Sequence, residues 1–249
     1  MDGKIPIHFT KKYLLSTGKG HKYEVIQREN VTEALLYKRY VAGILPIWVV
    51  ITDKRVDNRA YFRRGIIISF SEINPKPILL KKLIWFSARA KSGTSIIENA
   101  DSKWRSTYRK AKKLSSDFLI YRSEYTVDIS KRLSILGIYN FDDDLLSRMR
   151  DNLVVFLAQD ASGLIHGVVI FYIDMGIATY YYGWSSDLGR KRNINYLLIV
   201  EGLESLSSSV EYFDLGGLSI NGNLGINRFK KRLNFEEYIL YPKIAIKLL

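Results

Sequence analysis

The sequence YFDLGGLSINGNLGINRFKKRLNF at residues 212–235 places three different patterns in one continuous stretch. A short apolar run over 210–215 predicts a buried strand. The glycine-rich SINGNLG that follows predicts a loop, and GINRFKKRLNF predicts a helix. Four cationic residues surround a single phenylalanine in that helix. A strand, a flexible loop and a basic helix in this order indicate a site rather than a purely structural element.

Composition indicates a folded chain with an anionic partner. The chain has 249 residues, of which 47% are hydrophobic, so it can bury the core of one large domain or two small lobes. The 38 Lys and Arg residues exceed the 25 Asp and Glu residues, which gives a formal net charge of +13. Such a charge favours nucleic acid, nucleotide phosphates or an anionic membrane surface as partner, although it also serves solubility alone.

Residue counts exclude several kinds of chemistry. The chain contains no cysteine, so disulfides, thiolate metal sites and a cysteine nucleophile are ruled out. Its three histidines, His8, His21 and His166, make a metal cluster or a Ser/His/Asp triad hard to assemble. No apolar run reaches the roughly 18 residues that a spanning helix needs, so we expect a soluble, cytoplasmic protein without a bound metal.

Periodicity in the first part of the chain predicts a strand meander over 23–71. A helix is predicted over ILLKKLIWFSARAKSG, ending at Gly93, and a short strand over TSIIEN. A second helix is predicted over 103–114. One stripe of this helix is apolar and predicted to lie in the core, formed by Trp104, Tyr108 and Ala111. Another is basic and either solvated or bound to phosphates, formed by Arg105, Arg109 and Lys112.

The second part of the chain predicts a longer series of elements. A strand and two short helices, in DISKRLSILGIY and DDDLLSRMRDN, come first. Three antiparallel strands follow, the first two of which are joined by the turn at 160–163. After the polar turn SDLGRKRN come the helix INYLLIVEGLESLSSS, the strand VEYFDLGGL, the helix GINRFKKRLNF and a final strand pair in YILYPKIAIKLL. The order predicts an α+β fold of two related lobes. Their sheets are mixed and mostly antiparallel, with flanking helices.

A strand meander followed by a phosphate-binding turn and a helix is the organisation of the GNAT acyltransferase fold. The corresponding segment here is GRKRNIN at 189–195, which lacks both glycines of the usual coenzyme A loop. We therefore expect no coenzyme A cradle. The cations Arg190, Lys191 and Arg192 at the start of a helix suit a different phosphate donor, or else form a solvated loop.

Five motifs together resemble the FemABX group of non-ribosomal peptidyltransferases: WRSTYRKAKK, YYYGWSS, NYLLIVEGLESL, YFDLGG and GINRFKKRLNF. The resemblance covers residues 103–240, and residues 62–99 more weakly. Enzymes of this group consist of two GNAT-like lobes and transfer an amino acid from aminoacyl-tRNA to an amine. The resemblance implies a reduced N-terminal lobe at 1–102, followed by a connecting basic helix and a catalytic lobe at 103–249.

The same resemblance implies the partners. The donor is aminoacyl-tRNA, and the acceptor is the amine of a peptidoglycan precursor or a small peptide natural-product intermediate. No cofactor and no metal are expected. Because the front lobe is short, a smaller acceptor than a cell-wall precursor is plausible. Two other functions stay open: an N-acyltransferase that uses acyl-CoA or an acyl carrier protein, and a non-catalytic nucleic-acid-binding module.

The resemblance assigns catalysis to the stretch at 212–235. Lys230 stabilises the negative charge that develops on the donor carbonyl, unless it is a surface lysine, and Phe229 lies in the same cleft. Asp214 orients Lys230, takes the proton of the acceptor or bonds backbone amides. Gly216 and Gly217 let the backbone approach a bound carbonyl closely.

The remaining predicted contacts are with the acyl group and with tRNA. Alternation predicts one face of a strand that lines the acyl pocket or packs in the core, formed by Tyr180, Tyr182 and Trp184. Asn195 is predicted to contact substrate. The predicted phosphate-binding residues are Arg105, Arg109, Lys112, Arg190, Lys191, Arg192 and Arg228.

Overall fold

A computed structural model describes residues 23–28, 31–41, 45–51, 56–57, 65–69, 73–74, 85–93, 95–136, 149–217, 224–240 and 243–247. The chain divides into two compact units, which are described separately below. The first comprises Met1–Trp85 and Ile239–Leu249, and the second comprises Phe86–Tyr238. The domain boundary predicted between residues 102 and 103 stays a prediction.

The first unit contains a five-stranded sheet. Its strands are β1 (Tyr23–Arg28), β2 (Val31–Val41), β3 (Leu45–Ile51), β5 (Gly65–Ser69) and β14 (Lys243–Lys247), in the order β1-β2-β3-β5-β14. The first three strands are antiparallel, as the predicted meander requires. The meander stops there, because β3 pairs with β5 in parallel. Two short strands, β4 (Val56–Asp57) and β6 (Ile73–Asn74), pair with each other.

The second unit is built on a seven-stranded sheet. Its strands are β7 (Trp85–Lys91), β8 (Leu119–Glu124), β9 (Leu153–Gln159), β10 (Ile165–Asp174), β11 (Ile177–Ser185), β12 (Tyr212–Gly217) and β13 (Glu236–Leu240), in the order β13-β7-β12-β11-β10-β9-β8. The strands β9, β10 and β11 form the predicted antiparallel meander. Among the pairs from β7 to β8 in this order, only the pair of β12 and β11 is parallel. The described helices are α1 (Ile96–Asn99), α2 (Ser102–Leu114), α3 (Val127–Ile135), α4 (Asp187–Arg192), α5 (Ile194–Leu206) and α6 (Leu224–Lys231).

The two sheets repeat one pairing pattern. In each, three antiparallel strands are followed by one parallel strand and then by an antiparallel one: β1-β2-β3-β5-β14 and β9-β10-β11-β12-β7. The last strand of each series lies far along the chain from the other four: β14 follows β5 by more than 170 residues, and β7 precedes β9 by more than 60. The strands β13 and β14 therefore do not form the predicted pair, because β13 lies beside β7 and β14 pairs with β5.

Several local predictions were wrong. The segment predicted as a helix ending at Gly93 contains β7, because Lys91 and its neighbours pair with Tyr212 and its neighbours in β12. TSIIEN forms α1 instead of a strand, with Ile96 buried. The predicted turn SDLGRKRN contains α4, whose first turn is capped when the Ser186 hydroxyl accepts a hydrogen bond from the Gly189 amide. Of the helix predicted in DDDLLSRMRDN, residues 142–148 lie outside the described residues, and Arg150–Asn152 is a 3₁₀ turn.

The core of the second unit lies between its sheet and the helices α2 and α5. Eight residues of α5 are buried, and each buried leucine or isoleucine stabilises the fold by roughly 1.5–3 kcal/mol. Gly202 permits this close packing, because a Cβ there would lie 2.3 Å from the Phe171 ring of β10. The predicted apolar stripe of α2 is confirmed for Trp104 and Ala111, which are fully buried. Among the described residues, no helix has the length and apolar character to cross a membrane.

Candidate active site

The strands β11 and β12 separate at the start of the candidate site. They pair from Ile177 with Tyr212 to Thr179 with Asp214, and no pairing follows although β11 continues to Ser185. The backbone of Gly216 has a positive φ of 69°, and its amide donates a hydrogen bond of 2.7 Å to the Asp214 carboxylate. This turn directs β12 away from β11. It requires a left-handed backbone conformation, which glycine adopts without a steric penalty. The buried strand predicted over 210–215 is confirmed as β12, which begins at Tyr212.

Lys230 is buried beside this separation, with only 7% of its surface exposed. Its Nζ donates a hydrogen bond of 3.0 Å to the Gly217 carbonyl and lies 5.6 Å from the centre of the Tyr180 ring. Burial lowers the pKa of Lys230 from 10.5 to about 8, and the negative charge of Asp214 opposes that shift. Lys230 is therefore not a surface lysine, and its ammonium acts in surroundings of low polarity where charge interactions are strong.

The helix α6 is held so that Lys230 points toward β12. On its other side Phe229 packs against Trp104 of α2, at 6.3 Å between ring centres, and against Tyr196 of α5, at 4.9 Å and nearly perpendicular. Just after the helix, the side-chain amides of Asn234 and Asn99 each donate to the backbone carbonyl of the other residue, at 2.9 Å and 3.1 Å. Phe229 thus anchors the helix in an aromatic cluster, which fixes the position of Lys230.

Asp214 is buried at the end of β12, with 3% of its surface exposed. Of the three roles that the sequence left open, the structure shows its carboxylate accepting the Gly216 amide. It also acts electrostatically on Lys230, since its charge favours the ammonium form. Asp214 therefore shapes the turn and stabilises the charge of Lys230 at the same time.

The aromatic residues of β11 do not share one face, and this prediction was wrong. Tyr180 pairs with Phe171 and Tyr182 pairs with Ile170, so Tyr181 is an extra residue in a β-bulge. Cross-strand partners project from the same face of a sheet. Phe171 belongs to the core beneath α5, and Tyr180 packs against that core. Tyr182 and Trp184 consequently project from the opposite face.

Some of the predicted phosphate-binding cations form hydrogen bonds or ion pairs with other groups of the protein. Arg105 donates to the carbonyls of Glu98 and Ala100 at 3.0 Å and 2.8 Å, and so caps the end of α1. Arg190 donates to the Ser185 carbonyl at 2.6 Å and bonds Asp187.

Arg192 bonds Asp117 and lies 4.5 Å from the centre of the Phe118 ring. Among the predicted phosphate-binding cations, Arg109, Lys112, Lys191 and Arg228 are exposed at the surface, and so is most of the Arg190 side chain.

Two polar residues beside β11 have structural contacts. Asn195 accepts a hydrogen bond of 2.8 Å from the Ser185 hydroxyl, which ties the first turn of α5 to the end of β11. His166 is buried between Ser186 and Asp160, each 2.9 Å from one ring nitrogen. Because Ser186 caps α4, this chain of contacts holds that helix in place. The hydrogen bonds from Ser162 and His166 keep the pKa of the Asp160 carboxyl below its usual range.

No protein-family model matches the sequence, and no curated protein matches it. Solved structures do resemble it. FemX superposes with a TM-score of 0.64 at 11% identity, covering 96% of this chain and 92% of FemX. The C-terminal domain of a protein from Agrobacterium fabrum, assigned as a lysylphosphatidylglycerol synthetase, gives a TM-score of 0.61 at 15% identity, covering 94% of this chain and 86% of that domain. A tandem GNAT protein from the clavulanic acid biosynthesis pathway gives 0.53 at 9% identity, covering 98% and 90%.

The chain has a FemABX-like GNAT fold. Within this FemABX-like fold, the site combines a buried ammonium, a carboxylate and a glycine turn at the point where β11 and β12 part. Such a group stabilises negative charge that appears on a carbonyl oxygen, because it is already oriented and largely desolvated. Of the loop predicted over SINGNLG, residues 219–223 lie outside the described residues, and Leu224 and Gly225 belong to α6.

Gly183 also belongs to this site, although it was not among the residues predicted from the sequence. A Cβ on Gly183 would lie 1.9 Å from the Tyr180 hydroxyl oxygen, so the Tyr180 ring occupies space that any other residue would fill. The available signal was a glycine inside the aromatic strand TYYYGW, since a glycine within a strand often marks a close approach. The partner of that approach depends on the bulge at Tyr181 and is not evident from the sequence.

Proposed function

We propose that the protein is an aminoacyltransferase that forms a peptide bond. The donor is aminoacyl-tRNA, and the acceptor is the amine of a peptidoglycan precursor or of a small peptide intermediate in natural-product synthesis. The observation that carries the proposal is the buried amine of Lys230, held 3.0 Å from the Gly217 carbonyl where β11 and β12 separate. Buried lysines with a lowered pKa are concentrated at functional sites, because burial of a charge costs stability.

In this reaction the neutral acceptor amine attacks the carbonyl carbon of the aminoacyl ester. A C–N bond forms while the carbonyl oxygen gains negative charge, which the Lys230 ammonium stabilises. Collapse of this intermediate breaks the ester C–O bond, and the ribose oxygen leaves with the proton that the amine loses. Asp214 keeps Lys230 protonated during these steps, since its charge raises the pKa of that amine.

Two further observations support a tRNA donor. The FemX structure shares the fold over 96% of this chain, and the net charge of +13 suits a polyanion. The segment 189–195, where a coenzyme A loop is expected in GNAT proteins, instead contains the end of α4 and the start of α5 and has one glycine. This arrangement argues against acyl-CoA as donor and leaves an acyl carrier protein as the alternative.

A donor-retention experiment tests the proposal. The purified protein is mixed with tRNA charged with labelled amino acids, and separately with uncharged tRNA, labelled acetyl-CoA and an acylated carrier protein. We expect charged tRNA to be retained at low salt and released at high salt, because phosphate contacts release counterions. Transfer of the label to an added amine-bearing peptide is the accompanying readout.

The competing outcomes are distinct. Saturable binding of acetyl-CoA or of the carrier protein, without retention of charged tRNA, would contradict the proposal and indicate an ordinary N-acyltransferase. Equal retention of charged and uncharged tRNA, with no transfer to any amine, would indicate a nucleic-acid-binding module instead.

A further inference from the structure

We propose that Gly183 is a positioning residue for Tyr180. Because Gly183 has no side chain, the Tyr180 hydroxyl fits beside it, and the ring is held against the Lys230 amine. The inference deepens the proposed function and rests on it only for the role of Lys230 in transfer. The contacts among these three residues stand on the geometry alone.

The close approach follows from the bulge in β11. In a regular strand, residues three apart project from opposite faces. The extra residue Tyr181 changes the alternation, so that Tyr180 and Gly183 project from the same face, opposite Phe171 and Val169 of β10. The Tyr180 side chain therefore lies along its own strand and over Gly183. A Cβ at position 183 would be 1.9 Å from the hydroxyl oxygen and 2.9 Å from the ring carbon Cζ.

A second glycine fixes the other end of Tyr180. A Cβ on Gly216 would lie 3.2 Å from the Tyr180 carbonyl oxygen and 3.8 Å from the Lys230 Nζ. Gly183 and Gly216 therefore lie at the two ends of Tyr180, and the centre of its ring is 5.6 Å from the Lys230 ammonium. The face of an aromatic ring attracts a cation and also excludes water from it.

The ring contributes to the desolvation of Lys230. Among the described residues, the titratable groups that face its amine are Asp214 of β12 and Tyr180 of β11; burial lowers the pKa of Lys230 to about 8, and Asp214 opposes that shift. Burial also raises the pKa of Tyr180 to about 12, so its hydroxyl stays protonated and adds no charge. Displacement of the ring would admit water to the amine without changing any neighbouring charge.

The test is a titration of the Lys230 amine in the intact protein. Lysine labelled at its ε-carbon is followed by NMR from neutral to alkaline pH, and the Lys230 resonance is assigned by its loss in Lys230→Met. We expect a midpoint of about 8 in the unsubstituted protein and a shift toward 10.5 in Gly183→Ala. Gly183 has no positive φ, so the alanine backbone is unstrained and the change acts on Tyr180.

Two further variants make the test specific. Tyr180→Phe keeps the ring and should keep the midpoint near 8. Combined with Gly183→Ala it should recover part of the shift, because the closest atom is removed while Cζ remains at 2.9 Å. Tyr180→Leu removes the ring and should raise the midpoint even if Gly183→Ala fails to fold.

An unchanged Lys230 midpoint in folded Gly183→Ala would overturn the proposal. An unchanged midpoint in Tyr180→Leu would do the same. The proposal would also fail if the midpoint of the Gly183→Ala/Tyr180→Phe variant shifted as far as that of Gly183→Ala alone. The titration uses neither donor nor acceptor. A lack of aminoacyl transfer would therefore contradict the proposed function without affecting this result.

Discussion

The burial of Lys230 costs the protein stability at neutral pH. Its pKa falls from 10.5 in the unfolded chain to about 8 in the folded one, so the unfolded state binds more protons between these values. Stability consequently rises with pH through that window, because a charge that is costly to bury is being removed. At pH 7 the full penalty is present, at most about 3.5 kcal/mol, since the pKa falls by about 2.5 and each pKa unit corresponds to about 1.4 kcal/mol.

Lys230→Met should therefore stabilise the protein at pH 7. The loss of the hydrogen bond to Gly217 offsets part of the gain, so we expect a net increase of about 1–2 kcal/mol in the free energy of unfolding. Urea denaturation at pH 7 and at pH 9.5 measures it, and the increase should shrink at the higher pH. Lys231→Met, which removes an exposed amine that pairs with Glu237 at 3.1 Å, is the matched control and should not stabilise the protein at either pH, since a surface ion pair contributes at most about 1 kcal/mol. Destabilisation of Lys230→Met at pH 7 would contradict this account.

Asp214→Asn isolates the charge of the carboxylate from its role in the turn. Asparagine retains an oxygen that can accept the Gly216 amide, but it no longer favours the ammonium form of Lys230. The pKa of Lys230 should fall below about 8, and the alkaline limb of kcat/KM for transfer should move to lower pH. The exposed Asp151→Asn provides the control. An alkaline limb that stays in place, or moves upward, would show that Asp214 does not act on Lys230 in this way.

At this scale the sequence located the reactive groups but not their surroundings. Asp214, Gly216 and Lys230 stand in a recognisable order along the chain, and the structure brings them together. The prediction that Tyr180 and Tyr182 share one face was wrong. The bulge depends on the register between two strands, and the sequence of one strand alone does not reveal it.

At the scale of the elements, the position of α6 depends on its aromatic contact. Phe229→Ala removes the packing against Trp104 and Tyr196 and should destabilise the protein by about 2 kcal/mol, less than a fully buried phenylalanine because the site is half-buried. It should also lower the transfer rate, since Lys230 loses its fixed position. Ile226→Ala on the exposed face of α6 should change the free energy of unfolding by less than about 0.5 kcal/mol. Equal effects of the two variants in urea denaturation would contradict the anchoring role.

The cations of α2 divide into two classes with different expected effects. The Arg109→Ala/Lys112→Ala variant should lower the slope of log affinity for tRNA against log salt by about 1.5, since each lost phosphate contact contributes about 0.7–0.9. Its stability should be unchanged, because both side chains are exposed.

Arg105→Ala should do the reverse. It should lose about 1–2 kcal/mol of stability through the two carbonyls that Arg105 bonds, and the salt slope should stay as in the unsubstituted protein. Binding of tRNA at several salt concentrations, together with urea denaturation, distinguishes the two classes. A reversed result would place the tRNA contact at Arg105.

Elements were predictable where local pattern and tertiary environment agree. Most strands and helices from residue 119 onward follow from periodicity, as for α5 with its buried apolar residues, whereas the segment of α4 was predicted as a turn. The prediction for the segment of β7 failed because WFSARAK fits helical spacing equally well. The pairing of β7 with β12 joins residues more than 120 positions apart. Such pairing is a property of the whole fold that no local window contains.

At the scale of the whole molecule, each sheet contains a strand whose pairing partner lies far away along the chain. The strand β7 follows the first unit in the chain and pairs with β12, while β14 follows the second unit and pairs with β5. The arrangement explains why the final strand pair was predicted wrongly: neighbours in sequence belong to different sheets. It also places the β12 edge of the candidate site against a strand from the earlier part of the chain.

The most direct test of the central claim is transfer of a labelled amino acid from charged tRNA to an amine acceptor by the unsubstituted protein, Lys230→Met and Lys231→Met. We expect Lys230→Met to lower the transfer rate by about 10²–10³, the usual effect of removing one group that stabilises an oxyanion. Lys231→Met should transfer at nearly the unsubstituted rate, and both variants should still bind charged tRNA. Equal rates for Lys230→Met and the unsubstituted protein would contradict the assignment of Lys230 as the catalytic cation.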